Sequence, residues 1–284
     1  MSTPGGHAVV IGGGTMGAGI AQVLLAVADR VTVVESGTAA AEAALRRVAD
    51  GLARQHKRTD DPDAAVAAAF SRVDVEIGLP AGATPALVVE AVPESADLKR
   101  DVLGRVAATY PDVELLGSNT SSLSITELAT ALPFPERFVG MHFFNPVPVS
   151  ELVELVVGEA TADSTVAAAQ GWVDALAKQA IVVRDSPGFA TSRLGLALGL
   201  EAIRMVEAGV ASADDIDTGM VLGYKHPVGP LRLTDLVGLD VRLGIAEHLA
   251  ATLGPRFEPP ELLRRMVADG KLGKKTGEGF HRWD

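Results

Sequence analysis

His142 and Glu154 stand in two segments, His142-Phe143-Phe144-Asn145-Pro146-Val147-Pro148 and Glu151-Leu152-Val153-Glu154-Leu155-Val156, that place polar groups at the ends of apolar runs. An imidazole titrates near about pH 6.5, so a histidine at a strand end can accept and return a proton near neutrality. A buried carboxylate such as Glu154 would fix its tautomer and favour the imidazolium. Beside a nicotinamide, such a histidine is the base that removes a hydroxyl proton as hydride leaves the same carbon. Ser118-Asn119-Thr120-Ser121-Ser122 is a third polar segment of this kind. Taken alone, a histidine at a strand end is more often a satisfied core residue, so the chemistry needs a cofactor site beside it.

Gly12-Gly13-Gly14-Thr15-Met16-Gly17 satisfies G-x-G-x-x-G. With 30 glycines in 284 residues the bare pattern is weak. Its context is stronger: it follows an apolar run, opens a helical pattern, and precedes a second apolar run that ends on Glu35. Gly12 permits the tight turn, Gly14 lets a pyrophosphate approach the backbone, and Gly17 lets helix and strand pack closely. Thr15 and Met16 open the helix whose N–H groups and positive dipole end would face the phosphates. Glu35 stands where a carboxylate accepts hydrogen bonds from the adenosine ribose. It would repel a 2′-phosphate, and no arginine follows it closely, so NAD is expected rather than NADP. A turn that serves packing and an exposed strand-end acid are the plainer readings of the same residues.

These groups need elements to hold them. His7–Gly12 and Val31–Glu35 read as short buried strands, with a helix apolar all round over Thr15–Ala28. Further strands are expected at Leu87–Ala91, Glu114–Ser118, Phe138–His142, Leu152–Val157 and Ile181–Arg184, and helices at Ala39–Arg58, Ala96–Thr109 and Ser164–Lys178. The alternation implies parallel strands joined by helical crossovers, which is a doubly wound Rossmann-type α/β domain. Ligands of such sheets bind outside the carboxyl ends of the strands, where the three polar segments fall. After Asp185-Ser186-Pro187-Gly188 the pattern becomes helical, so residues 1–185 are expected to form the dinucleotide domain and 186–284 an all-α domain. Ala190–Ala208 is apolar on most of its circumference and must be buried on nearly every side, within its domain or against another subunit.

Composition narrows the classes. The formal net charge of −11 argues against nucleic acid as the main partner. Zero cysteines exclude disulfides, thiolate nucleophiles and cysteine-ligated metals, and no metal is expected. No run approaches the ~20 apolar residues of a membrane span, and the opening residues lack the charged region of a signal peptide, so a cytoplasmic location is expected.

GGGTMGAGIA, EAVPE, SNTSSL, GMHFFNPVPV, LVELV, DSPGF, HPVGPLRLTDLVGLD and KLGKKTGEGF stand in an order and spacing that closely resembles the L-3-hydroxyacyl-CoA dehydrogenase family, including its short-chain 3-hydroxybutyryl-CoA members. The resemblance spans nearly the whole chain. It implies an NAD domain, a helical C-terminal domain that forms a homodimer, and reversible oxidation of an L-3-hydroxyacyl thioester to the 3-ketoacyl thioester. It implies His142 as the general base in oxidation and acid in reduction, Glu154 as its partner, and Ser121 as a hydrogen-bonding group for the substrate oxygen. It places Glu94, Lys99, Ser121, Asn145 and Lys275 along the cofactor site.

One departure stands out within that resemblance. Where the family carries an Asn before Arg193, in a position that helps bind the substrate carbonyl region, this chain has Ser192. Serine is shorter and lacks the amide N–H₂, although its hydroxyl or an intervening water could substitute. A smaller departure is His281, where the family more commonly has Tyr. Arg46, Arg47, Arg54, Lys57 and Arg58 gather near the end of the helix after Glu35, with Arg47, Arg54 and Arg58 spaced to share one face. The family's helical arm in this region contacts the CoA nucleotide, which makes Arg54, Lys57 and Arg58 candidate contacts; a solvated helix face explains the same cluster. Two other readings are a dehydrogenase of a free hydroxy acid such as L-gulonate, with Ser192 marking the change, and a non-catalytic NAD-binding protein. Intact Ser121, His142 and Glu154 argue against the latter.

Overall fold

The Val-rich segment His7–Ile11 is apolar on both faces, which a strand can bury only between two layers of helix. It forms β1 of the computed structural model, which describes residues 5–283. Helix α1 (Thr15–Leu24) returns the chain to β2 (Arg30–Glu35), parallel to β1 with Val10 opposite Val33. The strand-to-helix turn rests on two glycines. Gly12 has φ +95°, and a Cβ on Gly17 would lie 1.7 Å from the Gly12 carbonyl oxygen.

The chain continues through α2 (Thr38–His56), α3 (Pro62–Phe70), β3 (Val73–Ile77), β4 (Leu87–Glu90), α4 (Ala96–Thr109), β5 (Leu115–Ser118) and α5 (Ile125–Ala129). It ends the first unit with β6 (Phe138–Phe143), β7 (Leu152–Val157), α6 (Asp163–Ala175) and β8 (Gln179–Arg184). Local chemistry starts several of these helices. Asp61 accepts the Ala64 N–H at 3.1 Å with Pro62 in the first turn of α3, and Ser124 accepts the Glu127 N–H at 3.1 Å to cap α5.

Among the described residues, the eight strands join one sheet in the order β3-β2-β1-β4-β5-β6-β7-β8. The expectation of parallel pairing throughout is corrected at one place: β6 and β7 are antiparallel. Only Phe144–Glu151 joins them, and a parallel crossover needs about a dozen residues or more. The core of this unit packs Ile20, Leu24, Val48 and Leu52 of α1 and α2 with Val10, Val33, Val89 and Met141 of the sheet.

The chain divides into two units, Met1–Asp185 and Ser186–Asp284. The second contains α7 (Thr191–Glu207), α8 (Ala213–Tyr224), α9 (Pro230–Val237), α10 (Leu239–Leu253) and α11 (Glu261–Ala268) around Leu196, Leu200, Ile203, Leu231, Leu249 and Leu263. Buried Asp235 accepts the N–H groups of Phe280 and His281 and the Trp283 indole N–H, which fastens the chain's last turn to α9. His281, the residue that departs from the family's Tyr, sits between Asp217 at 2.8 Å and Asp214 at 3.2 Å. Helix α7 is not buried on nearly every side within its own unit: Leu194 and Leu198 are 67% and 46% exposed. Among the described residues no helix is long and apolar enough to cross a membrane.

Candidate active site

Parallel strands bring their carboxyl ends to one edge of the sheet, and the functional groups of the first unit gather there. At the end of β1 the glycine turn leads into α1, whose N-cap is Gly14; no side chain caps it and no acid lies in its first turn. Its leading N–H groups are therefore left for an anion, and the positive end of the helix dipole favours one. Glu35, at the end of β2, accepts the Gly13 N–H at 2.6 Å. Gly12, Gly14, Thr15, Met16 and Glu35 all line one cleft of about 650 Å³, together with Leu98, Val102 and Arg105 of α4, while Gly17 is buried and does not line it. The lining offers backbone N–H donors, one carboxylate and aliphatic side chains, which suits a ligand that combines an anionic group, hydroxyls and an apolar ring.

On β6 and β7 the antiparallel register sets His142 directly opposite Glu154. The His142 Nδ1 lies 3.1 Å from Glu154 Oε2, with the imidazole 9% exposed and the carboxylate fully buried. Because β7 runs the other way, its first residues reach the same edge as the last residues of β6. Phe144 packs on the imidazole, ring centres 4.4 Å apart.

Glu94 follows β4 and collects the loop after β5. Its Oε1 accepts the Thr120 hydroxyl at 2.7 Å, the Ser121 and Ser122 N–H groups at 2.9 and 3.1 Å, and the Ser121 and Ser122 hydroxyls at 3.2 and 3.1 Å. Burial pushes the Glu94 carboxyl up, but Lys99 and these donors outweigh it and hold the group below the usual carboxylate range. Asn145, in the loop after β6, is exposed and lines a second cleft of about 750 Å³ together with Thr15.

Some residues expected at the site lie elsewhere. Lys99 lines neither cleft; it is 1% exposed, with its ammonium enclosed by Glu90 Oε1 at 2.7 Å, the Val92 carbonyl at 3.1 Å and Glu94 Oε2 at 3.5 Å. Of the basic cluster, Arg47 donates to the Gly13 carbonyl at 3.2 Å, and Arg47 and Arg54 line the second cleft. Lys57 and Arg58 lie outside it and beyond α2, which stops at His56, so the shared helical face ends at Arg54. Ser192 and Lys275 belong to the second unit, Ser192 in the first turn of α7 and Lys275 with its ammonium 2.6 Å from both oxygens of Asp240.

Two residues were given no role by the sequence. Lys178, just before β8, donates to the Val147 carbonyl at 2.8 Å and to the Ser150 carbonyl, pinning the loop that carries Asn145; burial pushes its ammonium below the usual range. Asn119 accepts the Phe143 N–H at 2.8 Å and so ties the end of β5 to the residue after His142. Lys178 has no sequence signal, since a lysine before a strand is an ordinary loop residue; Asn119 lies in the polar segment Ser118–Ser122, but nothing in that segment marks it as the residue that reaches β6.

A dinucleotide cradle and an acid–base pair served by one sheet edge define an NAD-dependent oxidoreductase. The chain matches family models over both parts, "3-hydroxyacyl-CoA dehydrogenase, NAD binding domain" at residues 7–186 and "3-hydroxyacyl-CoA dehydrogenase, C-terminal domain" at 188–283. It is 39% identical over 277 residues to a probable 3-hydroxybutyryl-CoA dehydrogenase of Bacillus subtilis, covering 97% of this chain and 96% of that protein. It is 37% identical over 286 residues to the human mitochondrial hydroxyacyl-coenzyme A dehydrogenase, covering 98% and 91%. The crystal structure of (S)-3-hydroxybutyryl-CoA dehydrogenase PaaH1 from Ralstonia eutropha superposes with a TM-score of 0.90 at 39% identity, covering 98% of this chain and 99% of that one. The chain belongs to the 3-hydroxyacyl-CoA dehydrogenase family.

Proposed function

We propose that this chain reversibly oxidises an L-3-hydroxyacyl-CoA of short acyl length, such as 3-hydroxybutyryl-CoA, to the 3-ketoacyl-CoA with NAD. The observation that carries the reading is the His142–Glu154 pair, set across the β6–β7 ladder at the sheet edge that also holds the glycine turn. Glu154 faces Nδ1 and keeps the proton there, so His142 exchanges the substrate's hydroxyl proton at Nε2. The buried carboxylate stabilises the imidazolium as it forms. Ser121 hydrogen-bonds the substrate oxygen from the loop that Glu94 holds. The N–H groups at the start of α1 bind the pyrophosphate, and Glu35 receives the adenosine ribose, with Asn145 on the nicotinamide side. NAD, when bound, supplies the hydride acceptor.

The second cleft suits the CoA portion. Arg47, Arg54 and Lys178 face it against a single acid, Asp50, so a chain with net charge −11 holds cations where a phosphorylated ligand would lie. Arg54 is the contact we assign; Lys57 and Arg58, exposed at the helix end, add to the field without lining the cleft. We further propose a homodimer through the helical unit, where Leu194 and Leu198 of α7, Leu236 and Val237 of α9 and Val241 of α10 are exposed.

Initial-rate NADH consumption with acetoacetyl-CoA, beside a panel of free keto and hydroxy acids, tests the substrate. Reduction of the thioester by the wild type supports it, and comparison with Ser192→Asn reads how well serine serves at that position. Turnover of a free acid with none of acetoacetyl-CoA by either protein would move the chain to hydroxy-acid substrates.

A further inference from the structure

Taking a cation out of water is costly unless a carboxylate meets it, yet the second unit buries one that no carboxylate meets. Arg242 of α10 is 5% exposed, and its Nε is enclosed without a hydrogen-bonding partner. Among the described residues no carboxylate lies within ion-pair distance of the guanidinium. The acids of the neighbouring segments are engaged elsewhere: Asp240 pairs with Lys275, Glu247 with Arg264, and Asp235 holds the last turn of the chain. Burial pushes the Arg242 pKa down to about 10, which still leaves the group charged at neutral pH. Its terminal nitrogens lie 3.4 and 3.7 Å from the point that a Cβ on Gly195 of α7 would occupy, so α7 offers no side chain at that point to cover them. Ser192 precedes Gly195 by three residues on the same face of α7, a spacing that sets Cβ positions about 5–6 Å apart. In the family pattern that position stands beside the substrate carbonyl. On the other flank Asp240, in the first turn of α10, holds Lys275, which the same pattern sets along the cofactor.

We propose that Arg242 is a specificity residue that receives a carboxylate at the end of the acyl chain, so that the preferred substrate is an L-3-hydroxyacyl-CoA whose acyl group carries a second acidic group. The proposal deepens the thioester reading above and rests on it. A guanidinium presents its N–H donors in a planar fork that matches a carboxylate, and the match is strongest where water has already been removed. Ser192 and Gly195 are about one helical turn apart, so an acyl chain a few carbons longer than hydroxybutyryl carries its end from the one to the other. A carboxylate on that end compensates the buried charge, whereas an apolar end of equal length leaves it uncompensated.

The test compares adipyl-CoA with hexanoyl-CoA by calorimetry on the full chain with NAD present. The two thioesters have acyl chains of equal length, differ in the terminal carboxylate and lack the 3-oxygen, so binding is read without turnover. Arg242→Met removes the charge, and Arg242→Lys keeps it on a slimmer group in case methionine upsets the packing. The wild type should bind adipyl-CoA more tightly by on the order of 10- to 10²-fold. That preference should vanish in Arg242→Met and shrink in Arg242→Lys. Equal affinities in the wild type overturn the proposal, as does a preference that survives in Arg242→Met. A folded Arg242→Met that differs from the wild type in sedimentation assigns the guanidinium to a contact with a second copy, and overturns it too. If neither thioester binds the wild type, that failure falls on the thioester reading, and hexanoate is then compared with its neutral amide. Preference for the anion that is lost in Arg242→Met supports the carboxylate site; no such preference rejects it.

Discussion

Replacing Glu154 with Gln isolates the charge of the buried carboxylate from its geometry. The amide oxygen can accept the same Nδ1–H hydrogen bond, so the tautomer of His142 is kept and only the negative charge is lost. The two groups are 3.1 Å apart at their nearest atoms, which puts their charge centres about 4 Å apart. At an effective dielectric constant of about 20 that separation corresponds to about 4 kcal/mol between unit charges, or about three powers of ten in rate if all of it is realised in the transition state. Only part of a charge has formed there, and the imidazole is 9% exposed to screening solvent, so the expected loss in kcat for oxidation is on the order of 10²- to 10³-fold. The assay is NAD reduction with L-3-hydroxybutyryl-CoA, accompanied by NADH titration and a thermal melt. Affinity for NADH should stay within about twofold. A kcat within about threefold of wild type, in a variant that melts like wild type, would refute the assignment of Glu154 as the group that stabilises the imidazolium.

Glu35→Ala removes the carboxylate from the cofactor cleft and the acceptor of the Gly13 N–H; NAD affinity should fall by about tenfold or more, and rejection of NADP should relax. Unchanged preference between the two cofactors contradicts the ribose assignment. His7 is held below its usual pKa by burial and by Arg30, with Asp74 opposing, while its Nε2 lies 2.8 Å from the Thr32 hydroxyl. Folding therefore favours the neutral ring: the stability it contributes is fully present above about pH 6.5 and is lost as the pH falls from there through the lowered folded value, because in that window the unfolded chain binds the extra proton. Urea unfolding at pH 7.5 and pH 5.5, values chosen about one unit either side of that pKa, should show a shallower acid loss in His7→Gln than in wild type; equal slopes count against it. Leu194→Glu/Leu198→Glu places charge on two exposed leucines, so the helical unit should keep its melting behaviour while sedimentation shifts from dimer to monomer. A wild-type monomer, or a variant that still dimerises, rejects this face as the interface.

Patterns that bury both faces were the legible ones. The β1–α1–β2 unit could be read because Ala8–Ile11 and Val31–Val34 are short Val-rich runs buried on both faces and a glycine turn joins the first to its helix. Strand β3 could not: Val-Asp-Val-Glu-Ile at the sheet's edge is half-buried at best, and its acids look like a loop. Helix α3 is Ala-rich with a single buried residue, Ala69, so it lacks an apolar stripe. The antiparallel return at β7 was hidden because a single strand carries no mark of its direction; the length of the loop before it holds that information. At the site, the residues facing the cofactor cleft were legible because backbone approach and a ribose acceptor demand particular residue types. The burial of Lys99 was not, since its ion pair with Glu90 forms only when α4 packs beside the end of β4. Arg58 fell off the expected face because α2 ends two residues earlier than it, at His56.

The antiparallel turn between β6 and β7 separates two kinds of inheritance. The relative placement of His142 and Glu154 is written in the main-chain ladder, where Gly140 to Phe143 pair with Val156 to Val153 and where β8 holds β7 from its other side. The residues between them, Asn145 to Val149, line the second cleft and contribute nothing to that ladder. Substitutions in the connecting segment can therefore reshape which molecule is admitted while the proton-transfer pair keeps its spacing. A slip of one residue in the ladder would instead turn Glu154 to the opposite face of the sheet. Repertoire can drift in the bend while the reaction stays anchored in the strands, so a library aimed at new substrates belongs at Pro146 to Val149 and should leave Asn145 and the strands untouched.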